Sequence, residues 1–111
     1  MQKAKNDKNV YSLFAGIDIS KEYFDVSVID QQGKKLAYDR FSNDSKGIEK
    51  FIQWLIEELK LDSFSLLVCM EHTGLYSRML MLKLLEEQMN VWVDRVAGAI
   101  ILADQEIFWS S

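Results

Sequence analysis

The sequence predicts an α/β domain built on a mixed five-stranded sheet with helices on its faces. Three observations carry this. Three strand-like segments joined by tight turns come first, a helix with one apolar stripe follows, and strand and helix patterns then alternate. A strand meander that feeds right-handed β-α-β crossovers gives a sheet of mixed direction.

Residues 1–10 are polar and lysine-containing and read as a flexible arm, with no apolar run behind them as a signal peptide would need. Tyr11 to Ile19 is mostly apolar and forms a first strand ending in Asp18-Ile19-Ser20-Lys21. Tyr23 to Ile29 alternates: Phe24, Val26 and Val28 share one face, Asp25 and Ser27 the other. Asp30-Gln31-Gln32-Gly33 supplies a turn whose glycine can take a positive φ, and Lys34 to Phe41 returns as a third strand.

Ser42-Asn43-Asp44-Ser45 is a helix-start cluster. Ile48, Phe51, Ile52, Leu55, Ile56 and Leu59 then recur at helical spacing, and Leu61-Asp62-Ser63 ends the helix. Phe64 to Met70 is a fourth strand, continuously apolar from Leu66 to Met70, as in a strand covered on both faces. It leads into Glu71. Thr73 can cap a second helix from about Gly74 to Gln88, and Asn90 to Val96 is a fifth strand. Residues 97–111 read as a divergent tail, with Ile100, Ile101, Ala103, Ile107 and Phe108 spaced for a short amphipathic helix. The domain therefore spans residues 11–96 in the order β-β-β-α-β-α-β, which is the ribonuclease-H-like order.

Composition narrows the function classes. The chain has 111 residues, 49% hydrophobic, enough for one small domain with a core. A net charge of −4 argues against tight nucleic-acid binding by this segment alone. One cysteine, Cys69, excludes an intrachain disulfide; it reads as a buried thiol in a cytoplasmic protein. No apolar run reaches the roughly 18 residues of a membrane helix.

Two carboxylates have the setting of chemistry. Asp18 and Glu71 each close an apolar strand, and in a ribonuclease-H topology the first and fourth strands are parallel neighbours. Adjacent carboxylates repel unless a cation or proton lies between them, so Mg²⁺ or Mn²⁺ is the expected ligand. Gly16 removes a side chain where another element can approach. Thr73 and Gly74 offer helix-start amides to a phosphate, or plain capping. Lys21 can contact DNA phosphate or soften the local charge. His72 is a candidate base or ligand, with a solvated connector residue as the plainer reading.

The motifs at these positions resemble a family. Gly16-Ile17-Asp18-Ile19-Ser20-Lys21 with Phe24-Asp25-Val26, then Asn43-Asp44 before Gly47-Ile48, then Met70-Glu71-His72-Thr73-Gly74-Leu75-Tyr76, resemble the RuvC-like DEDD catalytic domain of insertion-sequence transposases, the group that includes the pilin-gene DNA invertase. The resemblance runs from about Leu13 to Val93. It implies a RuvC-like domain that binds Mg²⁺ and cuts and joins DNA at element ends, with Asp18 as first acid and Glu71 as second. It also implies DNA as partner, a guide RNA in some members, and a further domain with a catalytic serine. The last two acids, Asp-x-x-Asp, have no good match: Asp94 has Ala97 three places on, and Asp104 has Ile107. The chain thus reads as a fragment or a frameshifted copy with little nuclease activity alone.

Two other readings compete. Actin-like ATPases and sugar kinases share the β-β-β-α-β-α core and an apolar-Gly-Ile-Asp-Ile strand, but their following turn carries glycine, whereas Ser20-Lys21-Glu22 has none. A non-catalytic assembly module, pairing as a homo-oligomer through the apolar tail from Ile100 to Trp109, is the third reading.

Overall fold

The computed structural model describes residues 11–71, 75–94, 99–101 and 107–109. The sheet order is β3-β2-β1-β4-β5-β6-β7, with β1 Leu13–Ile19, β2 Tyr23–Asp30, β3 Lys35–Ser42, β4 Leu66–Glu71, β5 Asn90–Asp94, β6 Ala99–Ile101 and β7 Ile107–Trp109. The first five strands are the expected ones. β1, β2 and β3 form the antiparallel meander, and β4 and β5 join β1 in parallel.

The turn between β2 and β3 matches its sequence. Gly33 has φ +86°, and the Asp30 Oδ1 accepts from the amides of Gln32 and Lys34, both at 2.9 Å. The first helix, α1, covers Ser45–Gln53 and continues as a π-helical turn over Trp54–Glu58. Asp44 caps its start, Oδ1 accepting from the Gly47 amide at 2.8 Å, and the Ser42 hydroxyl donates to the same oxygen at 2.9 Å. Both bonds favour the charged carboxylate, the Gly47 amide most, and hold its pKa below the ordinary aspartate value.

The π turn changes which residues are buried. The Leu59 amide reaches back to the Trp54 carbonyl at 2.9 Å, five residues away, so the helix is wider there. The apolar stripe slips: Trp54 is buried and Ile56 is 46% exposed, the reverse of what strict helical spacing predicts. The second helix, α2, spans Leu75–Glu86.

Both helices pack on one face of the sheet. Ala15, Ile17, Phe24, Val26, Val28, Val68, Met70, Val91 and Val93 form one cluster with Ile48, Phe51, Leu55, Leu80 and Leu84. Its centre is aromatic. Phe51 meets Phe24 edge-on at 5.4 Å, and Phe41 lies 5.3 Å from Trp54. The expected helices on the sheet's faces thus share one face among the described residues, although Leu67, on the other side of β4, is also buried. β4 shows the consequence along its length. Leu66, Leu67 and Val68 are all buried, whereas Cys69 is partly exposed and Glu71 is exposed. Cys69 is therefore not a fully buried thiol.

The tail also departs from expectation. The described parts of residues 97–111 are strands and not a short helix: β6 pairs antiparallel with β5, and β7 with β6. Ala99-Ile100-Ile101 and Ile107-Phe108-Trp109 are rich in β-branched and aromatic residues, and the free edge of β5 gives them a ladder to extend.

Candidate metal centre

Strand register assembles the site. β1 and β4 run parallel with Gly16 beside Cys69 and Ile17 beside Met70. One residue further on, Asp18, next to last in β1, and Glu71, last in β4, lie on neighbouring strands spaced about 4.8 Å apart. Both line an open hollow of about 730 Å³ on the uncovered sheet face, together with Gly16, Tyr38, Cys69 and Trp92. Among the described residues, no ion pair or hydrogen bond engages either carboxylate.

The row extends on both sides. Asp25 stands opposite Asp18 in the β1–β2 pair, and Arg40 opposite Asp25 in the β2–β3 pair. On the other flank, Asp94 is the register partner of Glu71. Four acids thus occupy one line across β2, β1, β4 and β5. Like charges on adjacent strands repel. One of the four is neutralised: Arg40 donates to Asp25 from Nε at 2.7 Å and from a terminal nitrogen at 3.3 Å, and the Tyr38 hydroxyl donates at 2.5 Å. Arg40, chiefly, and Tyr38 hold the Asp25 carboxyl below the ordinary aspartate range, while Asp25 raises the Tyr38 hydroxyl. The guanidinium also lies over the Tyr23 ring, 3.8 Å from its centre. Asp18 and Glu71, which line the hollow, have no such clamp among the described residues.

The donor set fits a hard divalent cation in part. Two carboxylates at neighbouring strand ends, open to solvent, supply oxygen ligands of the kind Mg²⁺ and Mn²⁺ take. Among the described residues, no group of three or more metal-ligating side chains gathers, so these two make an incomplete shell.

The other sequence candidates divide. Lys21 sits exposed in the β1–β2 turn and does not line the hollow. His72, Thr73, Gly74 and Asp104 lie outside the described residues. Gly16 admits no close neighbour among them: a Cβ there would meet only the Ser27 carbonyl oxygen, at 3.9 Å. Its missing side chain deepens the floor of the hollow beside Asp18. In the sequence Asp25 stands on a polar strand face and within the Phe24-Asp25-Val26 motif, and no motif there points to Tyr38 or Arg40. The available signal was alternation, since Tyr38 and Arg40 share a β3 face and Asp25 shares the polar face of β2.

With this geometry in view, comparison with known proteins is decisive on family. The model of a family described as Transposase, the DEDD type named for IS110, matches residues 15–95. The chain belongs to this transposase family. No curated protein matches the chain. Among solved structures, the transposase chain is similar to a protein from Bacteroides thetaiotaomicron with an actin-like ATPase fold and unknown function, at 13% identity and a TM-score of 0.62. The match covers 82% of this chain and 35% of that one. At that identity the likeness is one of fold. The transposase turn after β1, closed by the Ser20 amide and hydroxyl on the Tyr23 carbonyl at 2.9 and 2.8 Å, has no glycine of the phosphate-binding kind.

Proposed function

We propose that this chain is the ribonuclease-H-like (RuvC-like) catalytic core segment of a DNA transposase, with Asp18 and Glu71 as the first two acids of a metal-binding tetrad. The observation that carries the reading is their placement at adjacent parallel strand ends in a hollow, with no compensating partner among the described residues. Membership in the transposase family supports DNA as the partner. A bound Mg²⁺ or Mn²⁺ would polarise the scissile phosphate and steady the attacking and leaving oxygens. Asp18 and Glu71 would hold that cation, and the Arg40–Tyr38 clamp would keep Asp25 from competing for it. Asp94 is a candidate third ligand, supported by its register with Glu71.

Lys21 follows Asp18 by three residues, and Arg40 stands in register with Asp25. They suit phosphate contacts at the rim, although the net charge of −4 leaves most DNA affinity to be supplied elsewhere. With two described carboxylates, the isolated chain should turn over DNA slowly or not at all. A Mn²⁺-supported plasmid-nicking assay checks this. Robust nicking that Asp18→Ala abolishes would defeat the expectation of inactivity, and robust nicking that Asp18→Ala leaves intact would defeat the site assignment.

A further inference from the structure

The Asn43-Asp44 pair ahead of Gly47 belongs to the family resemblance, yet the acidic site does not use it. Asp44 and Gly47 have local duties at the start of α1. Asn43 does not. Its side-chain amide carries two hydrogens, and each finds a carbonyl on a distant element. One goes to Ser20 at 3.0 Å, the other to Tyr76 at 2.8 Å. Its backbone amide adds a third bond, to the Glu22 carbonyl at 2.9 Å.

The two acceptors matter by where they lie. Ser20 follows Asp18 by two residues, in the turn that leaves β1. Tyr76 lies in the first turn of α2, five residues after Glu71. The β1–β4 pairing runs to Ile17 and Met70, so Asp18 and Glu71 stand one step past its last rung, each still paired on its other side, Asp18 with Asp25 and Glu71 with Asp94. Asn43 is a cross-brace just beyond the last ladder rung, joining the chain that leaves Asp18 to the chain that follows Glu71.

The geometry points to Asn43 as a positioning residue that fixes the gap between Asp18 and Glu71 and so prepares them to share one divalent cation. This rests on the metal-site reading above. An outer group that orients ligands is worth about 10- to 100-fold in metal affinity. Asn43→Ala frees both carbonyls and removes this tie between the two chains past the last β1–β4 rung.

The test is Mn²⁺ titration of the full chain, followed by paramagnetic broadening of the NMR signals of Asp18 and Glu71, with amide exchange at Ser20 and thermal midpoints measured alongside. The expected result is that Asn43→Ala weakens Mn²⁺ binding about tenfold or more and speeds Ser20 exchange. Asp44→Ala, which removes the α1 cap and not the brace, should lower the thermal midpoint without weakening Mn²⁺. The inference is overturned if Asn43→Ala binds Mn²⁺ like wild type, or if Asp44→Ala weakens binding as much. A different failure, in which wild-type broadening does not centre on Asp18 and Glu71 or persists in Asp18→Asn, overturns the metal-site reading and the role of Asn43 with it.

Discussion

The two faces of the sheet use the same strands for different ends. On the covered face, Phe24, Phe41, Phe51 and Trp54 interlock with β-branched residues from four strands, and all are buried. On the open face the same strands present Asp18, Asp25, Tyr38, Arg40 and Glu71. Alternation along a strand makes this division possible, because each residue step flips the side chain. Stability is concentrated on one side, which leaves the other free to hold like charges together. The cost of crowding Asp25 beside Asp18 is offset locally by Arg40 and Tyr38, without any demand on the core.

Substitutions should therefore separate cleanly by face. The largest effect belongs to the covered face: Phe51→Ala should cost about 3–5 kcal/mol, because it opens a cavity at the centre of the aromatic cluster. Urea denaturation checks it, and a loss under about 1 kcal/mol would mean that the cluster is not the core. Gly47→Ala comes next, at about 1–3 kcal/mol. A Cβ there would overlap the Ser42 backbone carbonyl, which has no room to move while Ser42 also bonds Asp44.

A gain should follow from Gln88→Gly. Gln88 ends the helix that roofs the covered face with φ +62°, a conformation glycine adopts without strain, so about 1 kcal/mol of added stability is expected by the same assay. On the open face, Asp18→Asn and Glu71→Gln should leave the urea midpoint unchanged or slightly raised, since each relieves repulsion. Both should abolish Mn²⁺ binding. A marked fall in the midpoint would show that these acids are structural.

The smallest effect concerns pH. Asp25 has a folded pKa below its unfolded one, so the Arg40–Tyr38 clamp contributes fully above about pH 4. That contribution is lost as pH falls through the lowered folded value. Stability of wild type should therefore drop more on acidification than that of Asp25→Asn. Parallel acid dependence in the two would mean that the clamp has no energetic weight. Its exposed position makes a small difference the expectation.

How much of this was legible in the sequence depends on how local the cause is. The strands β1 to β5, both helices and the Gly33 turn follow from side-chain period and turn chemistry, which act over a few residues. So does the choice of Asp18 and Glu71, since an acid that closes an apolar run is visible without coordinates. The burial of Trp54 in place of Ile56 was not legible, because a single π turn shifts the stripe and leaves no mark in composition. The strands of the tail were missed because Ile-rich segments satisfy helix and strand patterns alike, and the free edge of β5 settles the matter.

The sequence by itself determined which residues alternate, where chains turn, and that two acids sit at strand ends. Only the tertiary structure decided what stands next to what. Register aligned Asp25, Asp18, Glu71 and Asp94 in one row, put Arg40 against Asp25, and set Asn43 between two strand ends. The physical reason is distance along the chain. The ladders and cross-braces that build this row join residues 7 to 53 positions apart, and no local preference in the sequence encodes such a pairing.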